Sequence, residues 1–236
     1  MSNIRLFFSE SLSQNLKSKL NKSQSHYLIK VMRIKTGENF SLFNSSGEWS
    51  AKITEISKGI AEFNVIEQLR QEDNTKEIWL AFSPIKSNYL NFMIQKATEL
   101  GVTRFIPIIF DRTIVRKINK ERLEKIIIEA TEQSNRINIP ILEKPQNLKN
   151  FLNNYSKKID LVFTDLNTAK KKLEVDKKAN KPLCAIVGPE GDFSEKEREL
   201  ILNFKSVRSI NINQNILRAE TATISIISII NYILSL

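Results

Sequence analysis

The hydrophobic period changes once along this chain, and the change limits what it can fold into. Before residue 70 the apolar residues alternate in short runs: "IRLFF" (4–8), "ENFSLFN" (38–44), "EWSAKITEIS" (48–57) and "GIAEFNVIEQ" (59–68). Turns at "SSG" and at Lys58-Gly59 separate the last three runs. A period of two residues with glycine turns predicts a small barrel or meander. One helix interrupts it, with Ser23 as its cap and Leu28, Val31 and Met32 on one face of "QSHYLIKVMR". The polar, aperiodic "EQLRQEDNTKE" (67–77) reads as a linker. Beyond it, the strand candidates "IWLAFS", "RFIPIIF", "IDLVFTDL", "LCAIVG" and "VRSINI" alternate with helix-length stretches at 88–100, 119–136, 194–204 and 219–234. That alternation predicts a mostly parallel sheet covered on both faces. The division is therefore an N-terminal β domain, 1–70, and a C-terminal α/β domain, 71–236. The lysine-rich "AKKKLEVDKKANK" (169–181) is expected to be a solvated loop or short helix.

Composition narrows the function classes. Lys and Arg number 36 against 26 acidic residues, a net charge of +10, which favours a polyanionic partner such as nucleic acid. Residues 1–35 carry seven cations (Arg5, Lys17, Lys19, Lys22, Lys30, Arg33, Lys35) against Glu10 alone, so seven minus one leaves +6 there. Phe7, Phe8 and Tyr27 are interleaved with them and could stack on unpaired bases. Arg5, Lys22, Lys30, Arg33 and Lys35 are the candidate RNA contacts. Cys184 and His26 are the only residues of their kinds, which excludes an intrachain disulfide and a Cys/His metal cluster. A Ser-His-Asp triad would have to use His26, and no nucleophile motif lies near it. The N-terminus lacks a signal-peptide core, and the C-terminal apolar run is too short and too serine-rich to span a bilayer. A cytoplasmic protein is expected.

Three stretches bear chemistry. In "IVGPEGDFSEKE" (186–197) an apolar strand ends at Gly188, and Ser194 with Glu197 forms a capping box opening the next helix. Glycines there let backbone amides approach a ligand at the carboxyl edge of a parallel sheet. The stretch is neither a P-loop nor a G-x-G-x-x-G fingerprint, and a plain βα turn is the alternative. In "INQNILRAETA" (212–222), Arg218 and Glu220 stand at the mouth of a helix whose Ile224, Ile226, Ile227, Ile229, Ile230, Ile233 and Leu234 cover most of its circumference. Such a helix must be buried on several sides, by the sheet and by a partner subunit. Its two charges are either functional or a salt bridge with each other. In "ERLEKIIIEATEQSNRINIPIL", Leu123, Ile126, Ile127 and Ala130 form a buried stripe, with Glu129, Gln133 and Arg136 alongside. A solvated face is the alternative for those three.

Taken in order, "IRLFF", "HYLIKVMR", "GENF", "IQKATELGVTRFIPI", "EATEQSNR-x3-P", "IVGPEG-x-FS-x2-E" and "ILRAETA" resemble the RsmE family of ribosomal RNA small-subunit methyltransferases, in the SPOUT class. The resemblance runs from Ile4 to Ala222. It implies an N-terminal PUA-like RNA-binding β-barrel and a C-terminal α/β domain with a trefoil knot. It further implies a homodimer, with methylation of the N3 imide of one uracil in 16S rRNA, within the small ribosomal subunit, by S-adenosylmethionine. Positions matching the family's cofactor contacts are Leu166, Gly188, Glu190, Gly191, Ile212 and Leu217, with Pro189, Asn213, Ile216 and Thr221 beside them. Two departures are Asp192, where the family continues "GPEGG", and Asn213, where glycine is usual. Asn tolerates left-handed φ best among non-glycine residues, so the loop shape can survive. With no histidine near these motifs, carboxylates, arginines and backbone amides are left to handle the imide proton and charge. Arg218 is assigned to anion stabilisation or base positioning, and Arg136 to reaching RNA. Glu220 and Glu129 are candidate orienters or proton acceptors. Two rival readings stay open: a SPOUT enzyme acting on another base or a ribose hydroxyl, and a non-catalytic RNA-binding relative.

Overall fold

The computed structural model describes residues 4–71, 76–168, 173–174 and 181–236. Most of the lysine-rich 169–181 stretch lies outside the described residues. The chain forms two compact units: residues up to 74 with Thr131–Ile139, and 75–130 with Pro140–Leu236.

The first unit holds β1 (Arg5–Phe7), β2 (Lys17–Lys19), α1 (Lys22–His26), β3 (Asn39–Asn44), β4 (Gly47–Ser57) and β5 (Ile60–Arg70). The strand order is β1-β3-β4-β5-β2. β1 pairs with β3 in parallel, and the other pairs are antiparallel. Alternation sets the buried face: Ala51 and Ile53 on β4, with Ala61, Phe63 and Val65 on β5, join Leu6, Leu28 and Leu42 in one core. β5 continues to Arg70, opposite Glu48, so the expected linker begins later than residue 67. The interrupting helix is capped by Asn21, whose side chain accepts from Gln24 N at 2.9 Å, and not by Ser23. A π turn follows over Tyr27–Val31, with Met32 N donating to Tyr27 O at 3.0 Å. The wider turn rotates the expected face. Leu28 stays fully buried, and Val31 is 59% exposed.

Arg5 is a structural brace, which corrects its assignment as an RNA contact. Its side chain is buried, with Nε donating to Glu48 Oε1 at 2.9 Å and Nη2 to Glu48 Oε2 at 3.2 Å. It also donates to the carbonyls of Glu132 and Arg136, both at 2.8 Å. Its guanidinium lies 4.5 Å from the centroid of the Phe43 ring. Glu48 further accepts from Arg70 Nε at 2.7 Å, and Arg70 Nη2 donates to Asn135 O at 2.6 Å. Two arginines sharing one buried carboxylate thus tie Thr131–Ile139 to this sheet. Sequence counts such an arginine as surface charge because its partner lies 43 residues away.

The second unit contains β6 (Ile78–Phe82), α2 (Ser87–Glu99), β7 (Val102–Ile109), α3 (Lys120–Gln133, whose last turn is counted with the first unit), β8 (Ile141–Leu142) and β9 (Gln146–Asn147). α4 (Leu148–Tyr155), β10 (Asp160–Thr164), β11 (Leu183–Val187), α5 (Glu195–Leu202), β12 (Val207–Ile210) and α6 (Ala219–Ser235) complete it. The sheet order is β12-β10-β11-β6-β7-β8, with β9 on β7, and every pair is parallel. β6 and β11 are buried at all their residues, as strands covered on both faces must be. Trp79, Ala81, Cys184 and Ile186 point to one face, where Phe151 of α4 and Ile201 of α5 meet them. α2 and α6 pack together, and α6 also packs against β11. On α6, Ile226, Ile227 and Ile230 are fully buried, while Ile224, Ile229, Ile233 and Leu234 are half-buried and Tyr232 is exposed. β2, β8, β9 and α4 have no counterpart among the expected elements. No helix of the described residues is long and apolar enough to cross a membrane.

Candidate active site

A cavity of about 700 Å³ opens at the carboxyl ends of β10, β11 and β12, beside the first residues of α2 and α6. Its position follows from the strand order. From β6 the chain steps outward to β7, then returns to place β11 on the opposite flank of β6, and ligand crevices form where an open parallel sheet reverses direction in this way. Leu166, Gly188, Pro189, Glu190, Gly191, Ile212, Asn213, Ile216, Leu217 and Arg218 all line it.

The first wall is the loop after β11. A Cβ at Gly188 would lie 2.5 Å from Phe193 Cε2, so only glycine fits against that ring. Phe193 is held edge-on by Phe110 and Phe163, each 5.1 Å away between centroids. At Gly191 an added Cβ would meet Arg112 at ordinary contact distances, the nearest being its Cβ at 3.4 Å, and the φ of Gly191 is not positive. Nothing in the protein demands glycine there, and its bare surface belongs to the cavity wall. Asp192 takes φ +61°, a left-handed conformation that glycine or a small Asx residue accepts. Its Oδ1 accepts from Phe193 N at 2.8 Å and its Oδ2 from Arg198 Nη2 at 3.0 Å. Asp192 therefore makes a left-handed turn and fixes it with its own side chain. Arg198 also pairs with Asp165. Burial pushes its guanidinium down, but the hydrogen bond and charge of Asp165, then Asp192 and Glu195, carry it above the ordinary arginine value.

The capping box forms as expected, with Ser194 Oγ accepting from Glu197 N at 3.3 Å and Glu197 Oε2 accepting from Ser194 N at 3.0 Å. Buried Glu197 uses its other oxygen to accept from Asp111 N at 2.7 Å. Ser194 Oγ donates to Asp111 Oδ2 at 2.7 Å, and Arg112 Nη1 donates to Gly191 O at 2.9 Å. The loop after β7 is thereby fastened to the loop after β11.

The second wall is the 211–218 segment. Asn211 Oδ1 accepts from Asn213 N at 3.1 Å, and Asn213 Oδ1 accepts from Asn215 N at 2.9 Å, two successive Asx turns. Asn211 Nδ2 donates to Leu166 O at 3.1 Å, joining this wall to the end of β10. Asn213 is not among the residues of positive φ, so the expected need for left-handed tolerance is corrected. Asn213 holds the loop through its side chain.

Arg218 is the N-cap residue of α6, with its guanidinium 5.5 Å from the centroid of the Tyr89 ring. Its pKa is raised, first by the Tyr89 side chain, then by the charges of Glu220 and Glu190. Among the ion pairs of the described residues none joins Arg218 to Glu220, so the structural alternative for that pair is not realised. Glu220, Thr221 and Glu129 do not line the cavity. Glu220 and Thr221 lie in the first turn of α6, and Glu129 is exposed on α3. Arg136 belongs to the first unit, where burial lowers its pKa to about 10. Lys86, Tyr89, Thr164 and Asp165 also line the cavity and were not among the expected site residues. Thr164 and Asp165 lie where β10 gives way to the next loop, while Lys86 and Tyr89 lie at the N-cap and in the first turn of α2. In the first unit Lys22, Lys30, Arg33 and Lys35 are all exposed.

Residues 71–231 match the model of an RNA methyltransferase domain, and residues 20–66 match that of an RNA methyltransferase PUA domain. Ribosomal RNA small subunit methyltransferase E of Rickettsia conorii is 36% identical over 95% of this chain and 93% of its own length. The chain belongs to the RsmE family. Its namesake from Aquifex aeolicus is 30% identical over 96% of this chain and 99% of its own. A crystal structure of the RsmE protein of Neisseria gonorrhoeae, bound to S-adenosyl methionine, superposes with a TM-score of 0.89 at 27% identity, covering 98% of this chain and 97% of that one. An N-terminal PUA-like domain and a C-terminal SPOUT-type α/β domain with a parallel sheet are thus the RsmE architecture of this chain.

Proposed function

We propose that this chain transfers a methyl group from S-adenosylmethionine to the N3 imide nitrogen of one uridine in 16S rRNA of the small ribosomal subunit. The observation that carries the reading is the cavity at the carboxyl edge of the sheet. Its volume of about 700 Å³ suits a cofactor-sized molecule. Val187, Ile212, Ile216 and Leu217 offer an apolar slot, Asp165 and Glu190 offer acceptors, and Gly188 and Gly191 leave main chain bare. Those groups fit a flat adenine, a ribose diol and a cationic amino-acid end. When bound, S-adenosylmethionine supplies an electrophilic methyl carbon. The chain's residues position the base and manage its charge. Formation of the N3–CH₃ bond would break the sulfonium–CH₃ bond and release S-adenosylhomocysteine, with the imide proton passing to solvent while Arg218 steadies the negative charge on the uracil carbonyl oxygens. The exposed cations Lys22, Lys30, Arg33 and Lys35 hold rRNA phosphates through the PUA-like domain. Arg136 remains a proposal for RNA contact and Glu129 for orienting or proton acceptance, both without a place in the cavity lining.

The same reading includes the knotted threading, cytoplasmic action and a homodimer. Half-buried Ile229 and Ile233 and exposed Tyr232 on α6 supply apolar surface for the dimer. Degeneration to a non-catalytic RNA binder is disfavoured, since Asp192 and Asn213 both make loop-fixing bonds. The test has two arms. Calorimetry with S-adenosylmethionine should show one site per chain. Small subunits from cells lacking the modification should gain one methyl group at uridine N3. Absence of cofactor heat, or methylation at a ribose or another base, would overturn the reading.

A further inference from the structure

We propose that the loop after β7 and the start of α3, residues 111–122, form a second RNA-binding surface at the rim of the cavity, one that holds backbone phosphates flanking the target base. The proposal rests on the rRNA methyltransferase reading and adds to it a site in the C-terminal unit. The stretch "DRTIVRKINKER" holds five cations, Arg112, Arg116, Lys117, Lys120 and Arg122, against Asp111 and Glu121. Asp111 already accepts from Ser194, and Lys120 is paired with Glu124 at 3.3 Å. Arg116, Lys117 and Arg122 are exposed and enter none of the ion pairs among the described residues.

A solvated charge run is the ordinary reading of such cations, but this loop is fixed in a way that solvation does not require. Buried Thr113 accepts from Phe110 N at 2.8 Å and shares a 2.9 Å hydrogen bond with Ser83 Oγ. Asp111 and Arg112 are fastened to the loop after β11 by the three bonds described above. Pinning at 111–113 turns the next residue outward, and Ile114 is 76% exposed. Gly191, which Arg112 grips, is itself cavity wall. Arg116 is four residues from Arg112, at most about 14 Å along an extended chain. A nucleotide whose base enters the cavity therefore carries its neighbouring phosphates past this loop. Flexible Lys and forked Arg side chains both suit phosphate.

The test uses full-length protein carrying Arg116→Ser and Lys117→Ser together, with a control of Lys149→Ser and Lys157→Ser, exposed lysines elsewhere in the unit. The control removes the same charge. RNA affinity is measured against 16S rRNA transcript over a range of salt concentrations. Losing two phosphate contacts should flatten the salt slope by about 1.4 to 1.8 and raise KM for undermodified small subunits about tenfold with kcat unchanged. S-adenosylmethionine affinity should not move, since neither residue lines the cavity. Equal slopes for wild type and the Arg116/Lys117 variant, or an equal loss in the control, would overturn the proposal. A wild type that binds RNA but no cofactor would instead overturn the methyltransferase reading.

Discussion

Gly188→Ala is the sharpest test of how the cavity wall is built. The added methyl carbon would sit 2.5 Å from Phe193 Cε2 and 2.6 Å from Cζ, where ordinary contact begins at 3.4 Å. Subtracting 2.5 from 3.4 leaves 0.9 Å by which ring or loop must retreat. The ring has little freedom, being only 6% exposed and clamped edge-on between Phe110 and Phe163. Overpacking of this kind costs about 1–3 kcal/mol, which lowers Tm by roughly 2–12 °C in a chain of this size. Because the residues that would shift also line the cavity, S-adenosylmethionine affinity should fall about tenfold, equivalent to ~1.4 kcal/mol. Phe193→Leu removes the obstructing ring edge, so the double variant should be less destabilised than the two single costs summed. Melting curves and calorimetry on all three proteins decide it. If Gly188→Ala melts and binds cofactor like wild type, the loop is not braced as described.

Arg5→Met should destabilise the protein by about 3–5 kcal/mol, because it strips one partner from a buried carboxylate; a folded variant with wild-type melting and weakened RNA binding would restore Arg5 as an RNA contact. Burial alone would raise Glu48, but hydrogen bonds and charges from Arg5 and Arg70 hold it below 4.5. Its stabilising contribution is thus complete above pH 4.5 and lost as pH falls through the depressed value, so Glu48→Gln should flatten the acid limb of a stability-versus-pH curve. Arg218→Ala should leave cofactor affinity near wild type and slow single-turnover methylation about a hundredfold; full activity removes it from the mechanism. Tyr89→Leu should slow the same step in wild type and do nothing further in an Arg218→Ala background, since the ring acts by holding the guanidinium.

The alternation of strands and helices after residue 78 was legible because a parallel sheet buried on both faces leaves uninterrupted apolar runs, as in "IWLAF" and "LCAIV". Short or partly polar elements were not. β8 and β9 have two residues each, and β2 reads "KSK", so pairing with a neighbour, and not periodicity, makes them strands. Arg5 was misread for a related reason. Its charge is local information, while the carboxylate and carbonyls that absorb it come from β4 and from residues 131–136.

The site divides along the same line. Gly188 could be singled out because a bare residue after an apolar strand has few other uses, and the capping box at Ser194 marks where the loop must end. The partners of that loop could not be read. Asp111 and Arg112 reach it from about 80 residues upstream, and Tyr89 meets Arg218 across two helix N-termini. Asp192 shows what lies between these cases. Against the family pattern it looks like a loss, yet φ +61° and two side-chain hydrogen bonds give one residue both of the tasks the position sets: the left-handed turn and the bond that fixes it. A motif compared letter by letter records the missing glycine. In this chain Asp192 makes a left-handed turn that glycine could also make, and adds a tether to Arg198 that glycine cannot.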